Sequence, residues 1–169
     1  NDARTLLRFE LPSLNPADIV SATLTLTRND DLSDEGTVRI YRLLESWSEG
    51  TGSGAAQTGG VDWFHRSHDG TPWTTEGAWF VSSFGWPTAT HVVSGEQSFT
   101  LDVTFDVQWW YANGGNLNNF GWVLSSHETD LVLPEGIRLL SDDAADGRPV
   151  LNINVIPEPA TLALFALGL

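Results

Sequence analysis

A chain of 169 residues can bury one substantial core, and eight Trp and eight Phe among sixteen Gly describe a packed, turn-rich domain, which excludes a disordered acidic tail. The 22 acidic residues face only eight basic ones, all of them Arg, and a net charge of −14 excludes the clustered positive charge on which nucleic-acid binding rests. With no Cys there are no disulfide staples or thiolate metal sites, and the lack of even an initiator Met reads as a processed or trimmed product, which fits removal of a secretion signal.

Alternation with period two dominates the chain from its start. Leu7, Phe9 and Leu11 alternate with Arg8 and Glu10, and Ala22, Leu24 and Leu26 alternate with Thr23, Thr25 and Thr27, so both stretches read as half-buried strands. The acidic turn at residues 29–36 separates them from a strand over Val38 to Leu43. Further strands follow at Phe99/Leu101/Val103, at Phe120/Trp122/Leu124, over Ile137 to Leu140, and at Leu151/Ile153/Val155 against Asn152 and Asn154. Turn-formers punctuate them at Pro12 and Pro16, at residues 113–119 with their Gly-Gly pair, and at residues 142–147. Between them, Val103, Val107 and Trp110 stand at helical spacing and predict a helical turn over Asp102 to Trp110. Seven or more short strands imply an all-β sandwich.

Residues 45–86 interrupt this pattern with five Trp embedded in Gly, Ser and Thr. Such an insertion is either a functional surface loop or a crossing connection that wraps one sandwich face. Trp47 and Trp63 are expected to plug the sandwich and its flank. Exposed indoles among Trp63, Trp73, Trp79 and Trp86 would instead stack on sugar rings.

A catalytic centre is hard to assemble from these residues, and the chain is not expected to be an enzyme. His65 and His68 sit in a loop instead of at metalloprotease spacing on a helix, and neither a nucleophile-elbow motif nor a Cys nucleophile is present. Calcium suits the hard oxygen ligands of two acidic turns, Asp30/Asp31/Asp34 beside Asn29 and Asp142/Asp143/Asp146. Neither matches a helical calcium loop, and solvated acidic turns explain both as well.

Several motifs, taken in order, carry a family resemblance. Leu6-Leu7-Arg8-Phe9-Glu10-Leu11, Ile19-Val20-Ser21-Ala22-Thr23-Leu24, and Tyr41-Arg42 leading to Trp47-Ser48-Glu49 open the series. Leu101-Asp102-Val103-Thr104 with Asp106-Val107-Gln108-Trp109-Trp110, Asn119-Phe120-Gly121-Trp122-Val123-Leu124 and Arg148-Pro149-Val150-Leu151 continue it. Together they resemble the DNRLRE domain family from Leu6 to Val155. The resemblance implies a jelly-roll-like sandwich of large secreted and surface proteins, some members being related to carbohydrate-binding modules. Members usually carry one or two strands before the Leu-Leu-Arg-Phe segment, where here only Asn1 to Thr5 precede it, so a slot in the sandwich is expected to be empty.

Ile156-Pro157-Glu158-Pro159-Ala160 followed by an apolar run resembles a PEP-type C-terminal sorting signal, the kind read by exosortases in biofilm-forming Gram-negative bacteria. The chain thus divides into a sandwich over residues 1–155 and a sorting motif with apolar tail over residues 156–169. That tail is too short for a stable membrane span, which needs about 20 apolar residues.

An apolar tail that suits neither water nor a bilayer needs a protein partner. The tail alternates Leu162 and Leu164 against Phe165 and Leu167, and Pro157 and Pro159 keep its lead-in extended. The reading that follows is a subunit whose tail completes the next subunit's sandwich, in a groove around Leu7, Phe9 and Leu11, giving a head-to-tail homo-oligomeric filament. Burying ~500 Å² of apolar tail would contribute on the order of 10 kcal/mol before ordering costs. The implied setting is extracellular, at the outer surface of a Gram-negative bacterium, with an exosortase-type processing enzyme as a further partner. The alternative is a carbohydrate-binding module held in an extracellular polysaccharide matrix.

Overall fold

The computed structural model describes residues 4–29, 35–50, 58–67, 70–78, 86–125 and 137–156. Among them, strands β1 (Arg4–Leu7), β2 (Ile19–Thr27), β3 (Glu35–Arg42), β4 (Ala89–Ser94), β5 (Ser98–Asp102), β6 (Trp122–Ser125) and β7 (Val150–Val155) form an all-β, sandwich-like fold with one helix, α1 (Thr104–Ala112). One sheet runs β1-β6-β3-β4 and the other β5-β2-β7, with every pairing antiparallel.

Alternation decides which residues meet between the sheets. In β2 the fully buried Ala22, Leu24 and Leu26 alternate with half-buried Thr, whose branched Cβ suits a pleated surface. They face Val38, Ile40, Trp122 and Leu124 of the other sheet in a single core. Each large apolar side chain fully buried there contributes about 1.5–3 kcal/mol. The helix expected near Asp102 to Trp110 spans Thr104–Ala112 and delivers Val107 and Trp110, with Trp110 packed 4.6 Å from the Trp122 ring. Thr104 ties it to β2, its Oγ1 accepting from Ala22 N at 2.9 Å.

A polar network crosses this core. Asp106 of α1 accepts from Thr88 Oγ1 at 2.6 Å and Trp122 Nε1 at 2.8 Å, and lies 3.3 Å from Arg42 Nη1. The Arg42 guanidinium in turn lies over the Trp109 ring at 4.1 Å. Burial pushes the Asp106 carboxyl above its ordinary range, against the pull of Thr88, Trp122 and Arg42. The same desolvation lowers Arg42, partly offset by the Asp106 charge. The network ties β3, β6, α1 and the approach to β4 together.

The long insertion joins β3 to β4, which are neighbours, so it leaves and returns to the same sheet. What it crosses is the outer face of that sheet. Tyr41, Val123 and Leu6 point outward there and pack with Leu43, Trp47, Trp73 and Ala78 in a second apolar cluster. Strand β6 is consequently buried on both faces.

Two expectations need correction. Residues 137–140 form no strand: Leu139 makes a single bridge to Arg28, while Ile137 and Leu139 pack against the core from a loop. The alternation Leu7, Phe9, Leu11 is also not one strand. The ladder ends at the pair Leu7 and Trp122, where Gly121, at φ +77, lies so close to the Leu7 carbonyl that an added Cβ would collide with its oxygen.

Candidate functional site

The two sides of the sandwich differ. On one side β4 passes into β5 through a short corner, where Glu96 accepts from His91 Nε2 at 2.6 Å and from Ser94 N at 2.9 Å. These bonds, the His91 bond foremost, hold the Glu96 carboxyl down at about 2. His91 also stacks on Phe99 with centroids 4.5 Å apart, which joins the two sheets. This side is sealed.

On the other side the second sheet ends at β7, and among the described residues no strand pairs with its outer edge. Leu151 and Ile153 stand opposite the fully buried Leu24 and Ala22, so they point into the sandwich, yet both remain half-buried. Among the described residues nothing closes the interior on this side.

Facing β7 is the crossover from β1 to β2. Its backbone lies beyond the ladder, and side chains of the segment after α1 satisfy it instead. Asn119 Nδ2 donates to Phe9 O at 2.7 Å, and Asn116 brackets Leu11, donating to its carbonyl at 2.9 Å and accepting from its amide at 2.8 Å. Tyr111 Oη donates to Pro12 O at 2.7 Å. One wall of the resulting groove is thus Phe9, Glu10, Pro12 and Leu14, the other is Leu151, Ile153 and Val155, and the volume is about 280 Å³. That lies below the roughly 300–1,000 Å³ of ordinary small-molecule pockets, and Glu10 is its one charged wall residue.

Of the acceptor residues expected from the sequence, only Phe9 lines this groove. Leu11 is 7% exposed and belongs to the core, and Leu7 pairs across from Trp122 with its side chain turned inward. Pro12, Leu14, Leu151, Ile153 and Val155 went unassigned as groove residues. The alternation of β7 was visible, but which neighbour it lacks depends on sheet order. The tail residues Pro157, Pro159, Leu162, Leu164, Phe165 and Leu167 lie outside the described residues.

The Trp of the insertion divide by environment. Trp73 is 5% exposed and its Nε1 donates to Asp62 O at 3.0 Å, so it cannot stack on a sugar. Trp63 carries the Arg4 guanidinium over its ring at 4.8 Å, and Trp47 carries that of Arg8 at 5.3 Å. Trp47 Nε1 further donates to Phe120 O at 2.8 Å. These rings brace the sheet. Trp86 is 80% exposed, and Trp79 lies outside the described residues.

The acidic turns separate likewise. Asp142, Asp143 and Asp146 are all exposed, and among the described residues no three His, Asp or Glu side chains are grouped to hold a metal ion. Asp30, Asp31 and Asp34 fall outside them. Among the described residues no helix is long and apolar enough to cross a membrane. No family model matches this chain, and no curated protein matches it significantly.

Proposed function

We propose that the chain is an extracellular structural subunit that assembles with copies of itself by strand addition, the apolar tail of one subunit completing the sandwich of the next. The observation that carries this reading is the outer edge of β7, which no strand pairs among the described residues, beside an apolar groove, in a chain that also holds a ten-residue apolar segment over residues 160–169. Strand addition supplies affinity through main-chain hydrogen bonds and register through alternate side chains in pockets. Because donor and acceptor surfaces differ, the contact is head-to-tail and propagates unless rotation closes it. The resemblance to a PEP-type signal supports a Gram-negative cell surface as the setting, with an exosortase-type enzyme handling the subunit on the way.

The test is assembly of the purified full-length chain, followed by sedimentation and electron microscopy. Deleting residues 160–169, or replacing Phe165 by Asp in the full chain, is expected to leave monomers. Polymers that persist in both variants refute the reading.

The carbohydrate-binding alternative now rests on Trp86, the one candidate indole among the described residues that is largely exposed. Titration with neutral and acidic polysaccharides, read by Trp fluorescence and retention, removes it if neither responds.

A further inference from the structure

Among the described residues the sandwich has four edge strands, β1, β4, β5 and β7, and strand addition could in principle use any of them. We infer that the acceptor is β7, and that the strand it receives comes from a second copy and not from its own chain. This rests on the self-assembly reading above and specifies its partner and its site.

The choice among edges follows from how each is protected. Soluble proteins guard exposed edges with charged side chains, close corners or covering loops. Strand β1 contains Arg4, which bonds the Gly77 carbonyl of the insertion, β4 contains His91, and β5 contains Asp102. Strands β4 and β5 also meet at the sealed corner. Strand β7 reads Val-Leu-Asn-Ile-Asn-Val and has no ionisable residue, in a chain where 30 of 169 residues are charged. It is also the edge that borders the apolar groove. The least guarded edge is the one with a cavity for side chains beside it.

The choice of donor follows from the chain leaving β7. Ile156 is fixed there, its amide donating to Asp18 O at 2.7 Å. To pair with its own β7 through a tight hairpin the tail would have to reverse at once, and such turns need residues that accept positive φ, chiefly Gly, Asn or Asp. Between Ile156 and Leu167 there is none. Pro157 and Pro159 instead hold φ near −65° and bias Ile156 and Glu158 toward extended backbone. An extended lead-in of this composition, at about 3.1 Å per residue, would set the apolar segment roughly 12 Å onward before it could pair. Such a sequence disfavours a tight return to the chain's own β7 and favours pairing with a neighbour's.

The absence of native Cys makes the test direct. Full-length chains carrying Asn152→Cys, on the exposed face of β7, are mixed with chains carrying Ala160→Cys, Ala163→Cys or Ala166→Cys, assembled, and oxidised mildly. Directly opposite residues of paired strands have Cβ atoms about 4.5–5.5 Å apart, close enough for a disulfide after small adjustment. Asn154→Cys serves as a second β7 position. Val92→Cys on β4, where Val92 is 67% exposed, reports the rival edge.

The expected result is a heterodimer cross-link from β7 to at least one tail position, at least tenfold more abundant than the cross-link from Val92→Cys. Filaments that cross-link at Val92→Cys, or at neither strand, overturn the β7 assignment while leaving self-assembly standing. A chain carrying both a β7 and a tail Cys that closes within one molecule at high dilution overturns the second-copy donor. Failure of the unsubstituted chain to assemble at all removes both readings.

Discussion

Replacing Gly121 by Ala probes the junction that ends the β1–β6 ladder and releases the crossover to wall the groove. Gly121 sits at φ +77, and an added Cβ would collide with the Leu7 carbonyl oxygen and come within 2.9 Å of Arg8 Cα. Two effects add. A left-handed backbone with a side chain costs roughly 1–2 kcal/mol. Displacing packed backbone costs about 1–3 kcal/mol more, because main chain cannot swing aside as the tip of a side chain can. Gly115 isolates the first effect, since it has φ +61 and an added Cβ there would meet nothing within 4 Å. Gly121→Ala is therefore expected to lose about 2–5 kcal/mol and Gly115→Ala about 1–2 kcal/mol. Urea unfolding followed by Trp fluorescence measures both, with buried Trp110 and Trp122 as reporters. Equal losses in the two variants would refute the argument that close backbone approach, and not φ alone, makes position 121 a glycine.

The remaining predictions concern the core, the sealed corner, the insertion and the surface charge. Thr88→Val removes the donor 2.6 Å from Asp106 and should cost about 1.5–3 kcal/mol in the same assay, while raising the Asp106 titration midpoint further in a carboxyl NMR titration. Glu96 titrates at about 2 in the folded chain, below its unfolded value, so its contribution is present above pH ~4.5 and is lost as pH falls toward 2. Glu96→Gln should therefore flatten that part of the stability profile, and a parallel profile would contradict the His91 bond. Trp86→Ala should change stability by no more than about 0.5 kcal/mol and Trp73→Ala by about 3–5 kcal/mol, a contrast that thermal melts resolve. With a net charge of −14, assembly should be faster at ~150 mM than at ~10 mM salt by light scattering, because screening within about 8 Å relieves subunit repulsion. Slower assembly at higher salt would indicate a charge-paired interface.

The interior of the sandwich was legible because alternation is a direct record of facing. The Ala22, Leu24, Leu26 stripe and the Leu151, Ile153 stripe both point inward as their spacing requires. Helix α1 was legible from Val103, Val107 and Trp110 for the same reason. What spacing cannot record is which edge remains uncovered, since sheet order depends on contacts between β1 and β6 or β2 and β7, more than 100 residues apart. Nor does it reveal substitutes for a ladder. The alternation of Leu7, Phe9 and Leu11 reads as a strand, but past Leu7 its hydrogen bonds go to Asn116 and Asn119. The Trp of the insertion were ambiguous because an indole that braces a sheet and one that waits for a ligand have the same sequence. Only the guanidinium over Trp63 and the burial of Trp73 separate them.

Those asparagines bear on assembly as well as on the fold. In the proposed assembly a strand entering beside β7 would lose backbone freedom worth about 1–2 kcal/mol per residue, so little margin would remain if the acceptor also had to be ordered. The crossover wall spares that second loss. Its carbonyls at Phe9, Leu11 and Pro12 are already bonded to Asn119, Asn116 and Tyr111, and Phe9 is set edge-to-face on Trp122 at 6.5 Å. Trp122 is in turn held by Asp106, the centre of the network that joins α1 to β3 and β6. The crossover wall is therefore already hydrogen-bonded within its own chain, so in the proposed assembly the ordering cost would fall mainly on the incoming tail. In the proposed assembly the prolines at 157 and 159 would reduce even that loss, because they restrict the lead-in before it docks.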